Sequence, residues 1–218
     1  MKLEGRTDGS PNSLYYEKPC ARTVVSVDLG HTKDPTAIAV LEEREVATEF
    51  DRVRFGPVWE KWISVRFLER LPLKTNYVDV VDRIKEVTDG VTDPRPRTVV
   101  VDATGVGLPV VHLLKKAGPR TMVTPVILTG GDVPSRDMDL WRVPKRDVII
   151  NLQILLEQHR LKFPGGIPES AMLIREMREM RVKVSAFGRE QTGCWRDGEH
   201  DDLVLAVGLG TWWLGRAG

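Results

Sequence analysis

Apolar and polar positions alternate along the chain in blocks that predict its elements. Thr23 to Leu29 (TVVSVDL) is a β-branched run broken by Gly30, which predicts a buried strand followed by a turn. Pro35 to Leu41 (PTAIAVL) predicts a second strand, close enough in sequence to be the hairpin neighbour of the first. Val58 to Leu71 contains a third strand, and Asn76 to Val87 carries apolar residues at 77, 80, 81, 84 and 87, the spacing of one helix face. Thr98 to Val101 predicts a strand that ends at Asp102. Gly105 and Gly107 then turn the chain into a helix over Leu108 to Ala117, closed by Gly118-Pro119. Met122 to Leu128 is another strand, and residues 129–143 read as an irregular loop or a small hairpin. Pro144 suits the first turn of a helix running to about His159. Beyond it come a short edge strand at Leu161 to Phe163, a helix from Pro168 to about Met180, a hairpin over 181–196, and a last apolar helix led by His200-Asp201-Asp202.

Three strands, helix, strand, helix, strand is the order of an α/β fold. It predicts a mixed β-sheet, three antiparallel strands followed by parallel ones, with helices on both faces. The ribonuclease H-like architecture is similar in this order. Residues 1–21 are polar and rich in Gly, Pro and Ser, which predicts a linker or tail before a domain over 22–218.

Composition narrows the choice of partner. The chain has 218 residues, 41% of them hydrophobic and 29% charged, with a formal net charge of +1. A nucleic-acid partner would therefore be held by a local basic patch, not by overall charge. Cys20 and Cys194 form no CxxC pattern, which argues against a zinc site or a disulfide framework. The N-terminus lacks the apolar segment of a secretion signal, and Leu203 to Leu214 is shorter than the ~20 residues that cross a bilayer. A soluble chain with no membrane partner is expected.

Asp28, Asp102 and the Asp201-Asp202 pair each stand where an apolar element meets a turn. In open α/β sheets, sites form beyond the carboxyl ends of strands. If the strands before Asp28 and Asp102 are neighbours, their carboxylates enter one crevice at a strand spacing of ~5 Å. Carboxylates that close raise each other's pKa unless cations intervene, and oxygen donors without Cys or clustered His select Mg²⁺ or Mn²⁺. Two such cations suit phosphodiester hydrolysis. Adjacent residues on a helix diverge by about 100°, so one of Asp201 and Asp202 would bind metal while the other acts through water or as a cap. The sequence leaves open which. His200 stands as an accessory proton carrier or a capping-region histidine, and His31 as a surface turn residue.

VSVDLGHTKDPTAIAVLE, TVVVDATGVGLPVVHLLKKAG and GEHDDLVLAVGLGTWW resemble signature segments of the nuclease domain of viral terminase large subunits, and PKRDVIINLQILLEQHRLKFP resembles its helix-and-strand segment. The resemblance implies a ribonuclease H-like endonuclease that cuts concatemeric double-stranded DNA during packaging in the cytoplasm of an infected bacterial host. It implies two Mg²⁺ or Mn²⁺ ions at Asp28, Asp102, Asp201 and Asp202, with Lys145 near the site or the DNA. It also implies an ATPase motor, a portal and a small terminase subunit as partners. The chain itself has no G-x-x-x-x-G-K-[ST] phosphate loop, so ATP-driven translocation is not attributed to it; an excised C-terminal domain and a separately encoded nuclease both fit.

Cutting of this kind needs phosphate contacts more than base readout. Arg136, Arg142, Lys145 and Arg146, around loop 129–143, are the candidates. Two other nuclease-fold readings stay open: a Holliday-junction resolvase-like enzyme, and a non-catalytic docking domain of a packaging motor. An actin-like ATPase is disfavoured, since Gly30 alone stands where a glycine-rich phosphate hairpin would be.

Overall fold

The computed structural model of the chain describes residues 22–30, 34–92, 97–105, 107–118, 121–163, 166–184, 190–193 and 200–216, with only the backbone between 181 and 193. The N-terminal tail and His31 lie outside the described residues. Strands β1 (Arg22–Asp28), β2 (Ala37–Asp51) and β3 (Gly56–Arg70) form an antiparallel meander. Helix α1 (Tyr77–Asp89) leads to β4 (Arg97–Asp102), and α2 (Gly107–Ala117) leads to β5 (Thr121–Thr129). A small hairpin, β6 (Ser135–Asp137) and β7 (Leu140–Pro144), precedes α3 (Lys145–Glu157), β8 (Leu161–Lys162) and α4 (Ser170–Glu179). Strands β9 (Arg181–Val184) and β10 (Glu190–Gly193) pair apart from the main sheet, and α5 (Asp202–Arg216) closes the described chain.

Eight strands make one mixed sheet in the order β6-β7-β5-β4-β1-β2-β3-β8. The crossovers through α1 and α2 bring β4 and β5 in parallel to β1, because a helical connection returns the chain to the same end of the sheet. Side chains alternate between faces with period two. Val25, Val27, Val99 and Val101 thus join the core beneath α1 and α2, while Val24 and Val100 join the core beneath α3, α4 and α5.

Helix α5 is apolar nearly all round and buried along most of its length, as that pattern requires. It lies across β1 and β2 with α3 and α4 at its flanks. Small residues set this close approach. A Cβ at Gly210 would meet Leu41 Cδ1 at 2.5 Å and Ser26 Oγ at 2.7 Å. At its far end, Arg22 donates to the Leu214 carbonyl and pairs with the buried Glu43 at 2.8 Å, so the first strand also holds the helix's last turn.

The strand runs, the helices and the edge position of β8 agree with the sequence pattern, and loop 129–143 contains the small hairpin. The length of β2 does not agree. The buried run stops at Leu41, but β2 continues to Asp51, past the point where β1 ends opposite Glu43. There β2 and β3 pair with each other alone, and beyond Glu43 only Val46 of β2 is buried, so the apolar signal is lost.

Gly210→Val places two branches where not even a Cβ fits. Overpacking of this kind costs ~1–3 kcal/mol, so the urea midpoint should fall; an unchanged midpoint would mean that α5 can lift off the sheet freely.

Candidate active site

Asp28 and Asp102 end adjacent parallel strands and share a face. Val27 is level with Val101, so the next residue on each strand is a carboxylate. Ser26 and Val100, two residues before each, point toward α5, and so therefore do Asp28 and Asp102. The two carboxyl groups are within hydrogen-bonding reach of each other. Asp28 is half-buried and Asp102 is buried.

The N-terminus of α5 supplies the next acids. Asp201 precedes the helix and its carbonyl accepts from Leu205 N at 2.8 Å, while Asp202 is the helix's first residue, and the two side chains have different partners. Asp201 Oδ2 pairs with Lys145 Nζ at 2.7 Å, and Asp201 also acts on Asp28 electrostatically. Asp202 is buried and faces Arg70, whose Nε is 2.6 Å from its Oδ2. The structure thus distinguishes the two: Asp201 faces the pair of strand-end acids across Lys145, and Asp202 is committed to an arginine. His200 Nδ1 stands 3.7 Å from both Asp34 and Asp202, too far for a hydrogen bond, and has no such partner among the described residues.

The electrostatics follow from this crowding. Burial pushes the Asp28 carboxyl well above the usual range, and Asp102, Asp201 and Asp202 push it further, with Lys145 opposing. Burial also raises Asp102, against two hydrogen bonds from Thr104, one from its hydroxyl and one from its backbone N–H at 2.8 Å. Thr104 Oγ1 in turn accepts from Leu128 N at 2.9 Å, which ties the end of β4 to β5. Burial raises Asp202, with Arg70 opposing. Among the described residues no three His, Cys, Asp or Glu side chains stand together as a closed metal cage. The donor set nevertheless fits hard divalent cations: the acids are all oxygen donors, three of them raise the pKa of Asp28, and Lys145 opposes the charge at Asp28 and Asp102.

Sequence reasoning missed Glu176 and Arg70. Glu176 is buried on α4, accepts from Leu203 N at 3.1 Å and Val204 N at 3.2 Å, and pairs with Arg70. It therefore caps α5 and holds the arginine that faces Asp202. Its signal was an acid three residues from Leu173, on the apolar face of α4. Arg70 is level with Ala37, which is level with Asp28, and only the register reveals that.

The basic candidates fall in different places. Lys145 is in the site. Arg136 is opposite Trp141 on the hairpin and Arg142 opposite Ser135, so the two arginines point to opposite faces. Arg146 is 3.6 Å from Asp132 and 3.9 Å from Asp147.

No family model matches the sequence, and no curated protein matches it. Solved structures do. The large terminase nuclease from thermophilic phage G20c, with bound magnesium, is 20% identical; the match covers 96% of this chain and 90% of that one, at a TM-score of 0.60. The nuclease domain of the large terminase subunit of bacterial virus Sf6, solved with manganese, is 14% identical over 89% of each chain, at a TM-score of 0.60. The Thermus phage P74-26 large terminase nuclease domain is 19% identical over 92% of this chain and 86% of that one, at a TM-score of 0.57. The chain has the fold of these nuclease domains, which is ribonuclease H-like.

The raised Asp28 pKa sets a pH dependence. Stability is full below the unfolded carboxylate value of ~3.9 and is lost as pH rises through the higher folded value. Asp28→Asn removes that ionisation. In a chelating buffer the variant should melt above the wild type at pH 8, by ~2–4 °C for each kcal/mol relieved, and the gap should close toward pH 4. A gap independent of pH would contradict the electrostatic account.

Proposed function

We propose that the chain is a metal-dependent endodeoxyribonuclease of the terminase large-subunit type, which cuts concatemeric double-stranded viral DNA during packaging. One observation carries this reading: Asp28 and Asp102 end adjacent parallel strands on one face, and Asp201 acts on Asp28 electrostatically, on a fold shared with nucleases solved with magnesium or manganese. Asp28, Asp102 and Asp201 would hold two Mg²⁺ or Mn²⁺ ions, with Asp202 acting from behind through its pairing with Arg70. Such ions, when bound, lower the pKa of the attacking water and neutralise charge at the phosphorus centre.

The chain's own groups do the rest. Asp28 stands on a central strand, a rigid mount. Thr104 donates twice to one oxygen of Asp102 and so fixes how that carboxylate presents itself. Lys145 balances the acids in the resting site and, on its α3 mount, can turn its three donors to a phosphate oxygen. His200, whose Nδ1 has no hydrogen-bond partner among the described residues, would act as an accessory proton carrier beside Asp202. Arg136 and Arg146 would contact the DNA backbone. Arg142, on the other face, would meet a separate part of the duplex. An ATPase motor, portal and small terminase subunit would deliver the DNA in the cytoplasm of an infected bacterial host. Among the described residues no helix is long and apolar enough to cross a membrane.

The test is supercoiled plasmid incubated with Mn²⁺ or Mg²⁺. Nicking and linearisation are expected. Asp28→Asn and Asp102→Asn should each reduce the rate at least ~100-fold, the scale of losing several kcal/mol of charge stabilisation. Plasmid left intact with both metals would contradict the proposal and leave a docking domain; cutting confined to four-way junctions would favour a resolvase.

A further inference from the structure

A second feature on the α5 face lies outside the acid cluster. Trp141 on β7 is level with Val126 on β5, and Val126 is level with Asp102. Two strand spacings of ~4.8 Å place its Cα roughly 10 Å from that of Asp102. Its ring meets Trp212 edge-on, with centroids 6.0 Å apart at 77°. Two guanidinium groups attend the same ring: Arg136 Cζ is 4.9 Å and Arg216 Cζ 3.3 Å from its centroid. They are therefore no farther apart than the sum of those distances. Arg216 also sits 4.6 Å from the Trp212 ring.

Among the described residues neither arginine is paired with an acid. Among the described residues Arg136 Nε donates to the Met138 carbonyl at 2.7 Å, and neither side chain forms an ion pair. Asp139, which feels the charge of Arg136, is paired with Lys115. Elsewhere the fold supplies acids to arginines readily, as in Arg22 with Glu43, Arg83 with Glu69 and Arg97 with Asp89. Both Arg136 and Arg216 are exposed. Two like charges drawn to one ring repel unless an anion lies between them. Within that limit a phosphate can reach both, with a charge-assisted hydrogen bond of about 2.8 Å to each.

We propose that Arg136 and Arg216, aligned on Trp141, clamp one phosphate of a nucleic-acid backbone outside the acid cluster. This rests on the reading of the chain as a DNA nuclease and adds a positioning contact to it. The guanidinium fork matches phosphate oxygens in two-point geometry, and Trp141 and Trp212 fix the forks in place. With arginines over the Trp141 ring, the clamp holds the backbone and reads no base.

The experiment measures binding of a fluorescently labelled duplex oligonucleotide by anisotropy, in EDTA to prevent cutting, over a range of KCl. The R136Q/R216Q double variant should bind at least ~10-fold more weakly at low salt. Its plot of log affinity against log salt should be shallower by ~0.9, the loss of one neutralised phosphate. The R136K/R216K variant should keep the wild-type slope but lose several-fold in affinity, and it serves as the readout if the glutamine variant does not fold. Wild-type affinity and slope in the glutamine variant, or wild-type affinity in the lysine variant, overturns the clamp and leaves the nuclease reading intact. Wild-type protein that neither binds duplex in this assay nor cuts plasmid overturns the nuclease reading as well.

Discussion

Two carboxylates at the ends of adjacent strands, on one face and partly out of water, cannot both ionise cheaply. Asp28 and Asp102 are in that position, and the pleat of the sheet leaves them no other face. The surrounding structure answers to this constraint. Thr104 donates to Asp102, Lys145 enters from the start of α3, and α5 brings Asp201 to the far side of that lysine. The acids at the strand ends are therefore opposed by Lys145, and Asp202 by Arg70.

Such a cluster is useful only if its parts are held still. Helix α5 carries Asp201 and is packed against the sheet through Gly210 and against α3 through Gly208, where a Cβ would meet Val148 Cγ1 at 2.8 Å. Glu176 satisfies two of the helix's free N–H groups and binds Arg70, and Arg70 faces Asp202. This buried network fixes the rotation of α5 about its own axis. That rotation decides which of the two adjacent acids faces Lys145 and the strand ends.

Much of this was legible in the sequence, because β-branched runs, helical spacing and terminal turns are local signals. The strands before Asp28 and Asp102 declared themselves that way, and so did the helix behind Asp201-Asp202. The rest depends on contacts between distant segments. Glu176 looks like a surface acid until α4 is packed on α5. Arg70 gains its role from a register across three strands. Arg136 and Arg142 read as a matched pair in sequence, yet the two-residue pleat sends them to opposite faces. The part of β2 beyond Leu41 has no continuous apolar run to mark it, since its buried residues, Glu43 and Val46, stand apart among polar ones.

The most direct test of the acid cluster is a crystal soaked in Mn²⁺ with data collected at the manganese absorption edge. The account predicts anomalous peaks bound by Asp28, Asp102 and Asp201, with Lys145 drawn away from Asp201 and Arg70 still on Asp202. Peaks that avoid Asp28 and Asp102, or manganese held by Asp202 in place of Asp201, would contradict it.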